Sequence, residues 1–262
     1  MIDYKPMVVV LCLLVLPVQI QAADDGKGSA GKSKPAPAAT VANAPASLVV
    51  KAPSDKPSYK PPLRGAPAGR VGGGTRGATE RESFSLLVLA PDHVGYTTQD
   101  QPCLYWFISK PTSYSVELTV TERKAVSPLM EKVVKGPEKA GIQSICLADH
   151  AVRLKKNVQY KWFVTLVTDA EHRSKDILAG GIIELVEPSL SLAGKLNDAD
   201  KGRTVSIYAE EGLWYDALWS ISRMIDASPG NIEFRQERAS LLGQVGLVEP
   251  AEFDSSQLQS VQ

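Results

Sequence analysis

Eight short runs of apolar or alternating residues recur between residues 84 and 186, and their spacing of roughly ten residues limits the fold more than any other feature. Pro, Gly and Asp lie between the runs, and the periodicity of an amphipathic helix is absent from this region. We therefore predict an immunoglobulin-like antiparallel β-sandwich over residues 83–190. Its strands are expected at residues 84–90, 93–98, 103–109, 114–122, 128–134, 141–148, 158–168 and 177–186.

Two tryptophans lie in the runs that alternate most clearly. Trp106 shares one face of its run with Leu104 and Ile108, and Trp162 shares a face with Val164. Successive side chains of a strand point to opposite faces, so each of these sets faces one way. We expect both tryptophans in the core of the sandwich and not on a ligand-binding surface.

Of the three cysteines, Cys12 lies near the amino terminus, and Cys103 and Cys146 lie inside the predicted strands. A disulfide between the latter two requires neighbouring strands with facing Cβ atoms. The sequence favours two separate, small buried side chains. A disulfide, which an oxidising compartment permits, is the alternative.

The first 23 residues have the layout of a secretory signal peptide. Lys5 precedes an apolar run at residues 7–16, and Ala22 and Ala23 provide small residues for cleavage. The run is about half of the roughly 20 residues that a membrane-spanning helix needs. We therefore predict a periplasmic or secreted protein that has no transmembrane anchor after cleavage.

Residues 24–82 contain eight of the eighteen prolines and few large apolar side chains, which predicts a disordered Pro/Ala/Gly-rich linker. The linker holds ten Lys or Arg and five Asp or Glu, whereas residues 187–262 hold six and twelve. A net charge of +5 against −6 permits head-to-tail self-association, and the basic linker suits an anionic envelope polymer. Nucleic-acid binding is not expected, because no folded region is basic.

Beyond residue 190 the pattern becomes helical. Helices are expected at residues 198–211, 213–228 and 232–244, within a helical segment that spans 191–248 and precedes a disordered tail at 249–262. The segment resembles a tetratricopeptide repeat, in which a tyrosine, a turn glycine, an alanine and a closing proline recur at fixed spacing. The matching residues are Tyr208, Gly212, Ala217 and Pro229.

The glycine-rich stretch at residues 64–77 and the histidines do not fit the common motifs for phosphate and metal binding, and the motif of a serine nucleophile is absent. The glycine-rich residues 64–77 lack the lysine of a phosphate-binding loop, and no Gly-x-Ser-x-Gly nucleophile motif occurs. None of the three histidines has metal-ligand spacing to another His or Cys. We predict no metal site, no cofactor and no enzymatic activity.

Four residues are candidate contacts for a partner. Arg173 and Lys175 lie in a polar loop and are suited to a carboxylate or phosphate; the alternative is a loop closed by local ion pairs. Trp214 and Tyr215 follow the turn glycine of the repeat and are expected to be exposed. The alternative for Trp214 is that it seals the junction between the helices and the sandwich.

Several segments together resemble one family over residues 62–247. They are the Gly/Arg stretch at 69–77, Gln-Pro-Cys-Leu-Tyr-Trp at 101–106, Arg-Ser-Lys-Asp at 173–176 and Glu-Glu-Gly-Leu-Trp-Tyr-Asp-Ala at 210–217. The family is a group of exported bacterial proteins classified as domain of unknown function 928. The resemblance implies a bacterial origin and an envelope or secreted location, and it brings no reaction or ligand.

These observations favour a non-catalytic envelope protein that acts as a protein-binding or assembly module. Its partner is expected to be another envelope protein or a second copy of itself. One alternative is a glycan or small-ligand binding protein of the envelope. Another is a purely structural protein whose acidic helices bind the basic linker of a neighbour.

Overall fold

A computed structural model describes residues 56–62, 69–72, 85–197, 199 and 201–256. The predicted signal peptide lies outside these residues. The described part consists mainly of antiparallel β-sheets followed by five helices at its carboxyl-terminal end. Within it, no helix combines the length and hydropathy needed to span a bilayer.

All eight predicted strands are confirmed, and one further two-residue strand precedes them. Each observed strand begins and ends within three residues of its predicted limits, close to turn-forming residues. The strands are β1 (Val71–Gly72), β2 (Leu86–Val88), β3 (Gly95–Thr97), β4 (Cys103–Ile108), β5 (Ser115–Glu122), β6 (Met130–Val134), β7 (Gly141–Cys146), β8 (Gln159–Val167) and β9 (Ile177–Leu185).

The strands form two sheets. The larger has six strands in the order β1-β9-β8-β5-β6, with β3 added in parallel beside β9. The smaller has the order β2-β4-β7 and is antiparallel throughout. Apolar side chains of both sheets belong to one hydrophobic core, in which Trp162 and Val164 are buried as their alternation predicts.

Strand β4 is buried on both faces, which explains why its sequence is apolar at every position. A helix covers the face of β4 that carries Phe107, because Phe107 packs edge-to-face with Phe253 of that helix at 5.4 Å between ring centroids. Trp106 is buried with the core residues of both sheets. The carboxyl-terminal helix Val248–Ser256 therefore packs on the smaller sheet and covers this face of β4.

Five helices follow β9. They are α1 (Leu190–Asn197), α2 (Thr204–Glu210), α3 (Trp214–Ala227), α4 (Ile232–Gln244) and α5 (Val248–Ser256). The three predicted helices correspond to α2, α3 and α4, although α2 begins six residues later than expected. Asn231 caps α4 by accepting hydrogen bonds from the backbone N–H of Glu233 and Phe234 at 2.9 and 3.4 Å.

The prediction of a disordered tail is wrong for residues 249–256, which belong to α5. Pro250 lies in the first turn, where its missing N–H costs no hydrogen bond. A contact with the neighbouring helix stabilises it, because the buried Asp254 accepts hydrogen bonds from Arg238 of α4. Its stability therefore comes from tertiary contacts, which the local pattern does not reveal.

The two strand cysteines lie directly opposite each other in the β4–β7 pair and form a disulfide. The preference for two separate cysteines is therefore wrong. Sequence alone could not decide the point, because the bond depends on β4 pairing with β7 in this register. The disulfide joins residues 43 positions apart at one end of the smaller sheet.

The prediction that residues 24–82 form a disordered linker is wrong at residues 56–62 and 69–72. Residues 56–62, which we name the amino-terminal arm, pack along the helices and bury Tyr59. Residues 71 and 72 form β1 on the edge of β9. Short stretches of low hydrophobicity become ordered here because the folded body provides most of the apolar surface.

Candidate functional site

The amino-terminal arm lies in a groove that the helices and one loop build together. We name this groove the arm groove and define it by His93, Ala209, Gly212, Trp214 and Gln244. Tyr59 is the side chain that enters deepest and is 7 % exposed. The groove thus holds an extended peptide segment through one buried aromatic anchor.

Two aromatic rings enclose Tyr59. The Trp214 ring meets it edge-to-face at 5.1 Å between centroids, and the His93 ring stacks on it at 5.9 Å. The Tyr59 hydroxyl and His93 Nε2 are 2.9 Å apart, and His93 Nδ1 is 3.2 Å from an Asp92 carboxylate oxygen. With its Nδ1 proton toward Asp92, His93 accepts a hydrogen bond from the Tyr59 hydroxyl at Nε2. Burial raises the pKa of Tyr59, so the hydroxyl stays protonated.

The backbone of the arm forms hydrogen bonds with groups of the helices. The Gln244 side-chain amide accepts from the backbone N–H of Tyr59 at 2.8 Å and donates to the Pro57 carbonyl at 2.8 Å. The backbone N–H of Lys60 donates to the Ala209 carbonyl at 3.0 Å, near the end of α2. Paired contacts to main-chain groups suit any sequence that can extend in the same way.

Gly212 allows the arm to approach the turn between α2 and α3. Its φ of +74° favours glycine, and a Cβ atom there would lie 2.9 Å from the Lys60 carbonyl oxygen. The turn glycine predicted from the repeat pattern therefore has a second role beside the helix turn. It leaves the space that the arm backbone fills.

Charge at the groove is opposite to that of the arm. Lys60 pairs with Glu210 at 3.8 Å, with both side chains more than half exposed, so the pair contributes little stability. Beyond the arm, Arg70 donates to the carbonyls of Ala90 and Val245, both at 3.3 Å. These contacts connect the amino-terminal residues to both the β region and the helices.

Trp214 and Tyr215 are not exposed, so the expectation of an exposed aromatic pair is wrong. They are 0 and 1 % exposed at the start of α3. Trp214 Nε1 donates to the Leu89 carbonyl at 2.8 Å, and Trp162 Nε1 donates to the Tyr215 hydroxyl at 2.8 Å. Both residues seal the junction between helices and sheets, while one edge of Trp214 also contacts Tyr59.

The polar loop that carries Arg173 and Lys175 is closed by ion pairs. Arg173 binds Glu117 with two nitrogens at 3.0 and 2.5 Å and Asp176 at 2.6 Å, while Lys175 contacts Asp169 at 2.9 Å. The Arg173 guanidinium lowers the pKa of Glu117, and Lys175 lowers the pKa of Asp169. Because both cations already have carboxylate partners, the loop corresponds to the alternative interpretation, in which local ion pairs close it.

Two buried carboxylates connect elements of the fold. Asp216 accepts hydrogen bonds from the backbone N–H of Thr98 at 3.0 Å and from its hydroxyl at 2.8 Å, and burial raises the pKa of Asp216. Asp254 receives two hydrogen bonds from Arg238, at 2.6 and 2.8 Å. Each carboxylate faces protein donors, so these two groups hold the helices in place.

Sequence reasoning missed the arm groove. Of its five residues, Gly212 was noticed as a turn residue and Trp214 as an exposed contact, while His93 was considered only as a metal ligand. The signal available in the sequence was a tyrosine between prolines, in a segment with few other large apolar residues: Pro57, Tyr59 and Pro61. Among the described residues, no three His, Cys, Asp or Glu side chains are grouped as metal ligands.

The fold and the groove define a class: a mainly antiparallel β domain with five carboxyl-terminal helices that hold a peptide segment of the same chain. The chain belongs to the family described as Domain of Unknown Function (DUF928), whose model matches residues 71–254. The predicted resemblance to this family is confirmed.

Comparison with other proteins adds little beyond the family. A search of curated proteins found no match. A crystal structure of a multi-domain immunophilin from Arabidopsis thaliana is similar at 7 % identity, with a TM-score of 0.17 over 62 % of this chain and 98 % of that one. A TM-score this low supports no argument about fold or function.

Proposed function

We propose that this chain is a non-catalytic protein-binding module of the bacterial envelope, which binds extended peptide segments in the arm groove. The observation that carries the proposal is the pair of hydrogen bonds by which the Gln244 side chain donates to the Pro57 carbonyl and accepts from the Tyr59 N–H. Such contacts recognise a peptide main chain, and the pocket for Tyr59 adds selectivity for one aromatic side chain. The buried carboxylates of Asp216 and Asp254 are engaged in packing contacts, which favours binding over catalysis.

The architecture we infer is an immunoglobulin-like sandwich with tetratricopeptide-like helices. The shared core of the two sheets supports the first part, and the spacing of Tyr208, Gly212, Ala217 and Pro229 supports the second. The signal-peptide layout of residues 1–23 supports export to the periplasm or beyond. We retain the boundaries at residues 83 and 190 as limits of the sandwich, and the helical part extends to residue 256.

The test uses a fluorescent peptide of residues 54–63 and the full chain carrying Tyr59→Ala, whose own arm has lost its anchor. We expect fluorescence anisotropy to show binding at least about tenfold stronger to this variant than to the wild type. The tethered wild-type arm competes with the peptide at a high effective concentration, whereas the Tyr59→Ala arm does not.

Matched variants in the Tyr59→Ala background assign the site. Adding Gln244→Ala should weaken peptide binding about tenfold, because two hydrogen bonds to the peptide are lost, while Gln143→Ala, a glutamine on β7, should leave it unchanged. Adding Arg173→Ala should also leave it unchanged. Peptide binding that is unchanged by Gln244→Ala but is lost with Arg173→Ala would assign recognition to the polar loop and contradict the proposal.

Glycan or small-ligand binding is the second candidate. The supporting observation is an open cleft of about 490 Å³, lined by Thr98, Gln99, Asp100, Gln101, Lys156 and Leu185. The exposed large hydrophobic side chains in the described part of the chain include no aromatic residue, and sugar rings commonly stack on such residues. A thermal-shift screen with millimolar sugars and cell-wall fragments tests this candidate, and the absence of any shift would remove it.

A further inference from the structure

We propose that the arm groove of one copy receives the amino-terminal arm of a second copy, so that the protein assembles with itself by exchanging arms. This inference rests on the proposed function and names the partner of the same groove. It makes the ligand a segment of this chain, presented by another molecule.

The contacts of the arm groove are complementary to the arm of any copy of the chain. An occupant of the groove must present a tyrosine to His93 and Trp214, a carbonyl two residues earlier to Gln244, and an N–H one residue later to Ala209. The arm meets all of these requirements through non-covalent contacts alone. Every further copy of the chain brings an identical segment, so no other sequence needs to be assumed.

The connection between the arm and the body also bears on the exchange. Residues 70–72 lie on the body through Arg70 and β1, so the arm and β1 exchange together. Their connector is then residues 73–84, the twelve residues between the end of β1 and the residue before β2, which include Gly73-Gly-Thr-Arg-Gly-Ala78 and can extend over roughly 40 Å. Because the contacts within one molecule and between two molecules are the same, the connector and the protein concentration decide which arrangement forms.

Opposite net charges at the two ends of the chain favour the exchange. Residues 24–82 carry a net charge of +5 and residues 187–262 a net charge of −6, and the pair of Lys60 with Glu210 joins these two regions directly. Opposite charges on the donating and accepting parts attract two copies head to tail at low ionic strength. The attraction raises the rate of encounter, while Tyr59 and the backbone contacts determine the fit.

The test places a photo-crosslinking amino acid at Ser58, an exposed arm residue, in the full chain. This chain is mixed with isotope-labelled chain that lacks the crosslinker, incubated to equilibrium and irradiated. Mass spectrometry then distinguishes α4 peptides of the same molecule from labelled α4 peptides of a second one. We expect labelled crosslinks whose share rises with the concentration of labelled chain.

Substitutions in the labelled chain test whether these crosslinks report the groove. Gln244→Ala should lower the labelled product about tenfold, because two hydrogen bonds to the arm are lost, and Gln143→Ala should leave it unchanged. If all crosslinks stay within one molecule at every concentration, arm exchange is overturned, whereas binding of the free peptide to the Tyr59→Ala variant would still support the proposed function.

Discussion

Trp162 and Tyr215 share a hydrogen bond that is buried between the larger sheet and α3, with Nε1 of Trp162 donating to the Tyr215 hydroxyl at 2.8 Å. The same hydroxyl donates to the Ile182 carbonyl at 3.2 Å, so it connects strands β8 and β9 to the helix. The two rings also meet edge-to-face at 6.5 Å between centroids. This pair couples the stability of the helices to that of the sheet.

We expect Tyr215→Phe to lower the free energy of unfolding by about 2–4 kcal/mol, because a buried N–H and a buried carbonyl both lose this partner. Urea denaturation measures the loss. Tyr208→Phe, on the neighbouring helix α2 and only partly buried, is the control and should change stability by less than about 0.5 kcal/mol. Equal effects of the two substitutions would show that the buried hydroxyl is not needed.

Reduction of the disulfide between Cys103 and Cys146 should destabilise the protein by about 3–4 kcal/mol, since the bond closes a loop of 43 residues. The measurement is chemical denaturation with and without a reducing agent. A chain with both Cys103→Ala and Cys146→Ala should already have the lower stability and should not respond to the reductant. A wild-type stability that reduction leaves unchanged would contradict this prediction.

Asp254→Asn should cost about 3–5 kcal/mol, because it leaves the buried Arg238 without its charged partner. Hydrogen exchange should become faster in α5, which this pair fastens to α4. Glu252→Gln removes an exposed charge from the same helix and serves as the control. Replacing the pair by Arg238→Met and Asp254→Leu should cost less than Asp254→Asn alone; a larger cost would argue against an unpaired charge as the cause.

Glu237 should make stability depend on pH. Its side chain is 7 % exposed, Oε1 has no hydrogen-bond partner among the described residues, and burial raises its pKa from 4.5 to about 7. A carboxyl with a raised folded-state pKa favours folding at low pH, and that contribution is lost as the pH rises from 4.5 through about 7. The loss should be roughly 2–3 kcal/mol.

Glu237→Gln should remove this dependence. Urea denaturation should find the variant more stable than the wild type at about pH 8 and similar to it at about pH 4, since other titrating groups are common to both proteins. A difference that stays constant between these two conditions would show that the Glu237 carboxyl does not titrate in this range.

Local patterns predicted the positions of the strands and central helices well. The alternation around Trp162 and the turn residues between runs depend on neighbours in sequence, and β2–β9 follow them closely. Helix α1 lies at the start of the predicted helical segment 191–248, although no separate helix is predicted there. Helix α5 is not predicted, because it depends on the buried pair of Asp254 with Arg238. When a distant partner stabilises a helix, the helix sequence shows little amphipathic periodicity.

The candidate site was the least predictable part. The sequence offers Arg173 and Lys175 as contacts for a partner's carboxylate or phosphate, but their carboxylate partners within the chain include Glu117, which lies 56 residues from Arg173. The sequence predicts Trp214 and Tyr215 to be exposed, but both are buried, with Trp214 bonded to Leu89, 125 residues away, and Tyr215 bonded to Ile182, 33 residues away. The arm groove joins Tyr59 to Gln244, 185 residues away, which no local window contains.

The sequence by itself therefore determined the β-rich and helical regions and the family, because these depend on residue periodicity and on short motifs. Only the tertiary structure decided that Cys103 pairs with Cys146, that Trp214 is buried, and that Tyr59 docks on the helices. The physical reason is that each of these depends on which distant surfaces meet. The free energy of such contacts comes from burial and hydrogen bonds between segments whose sequences do not specify their partners.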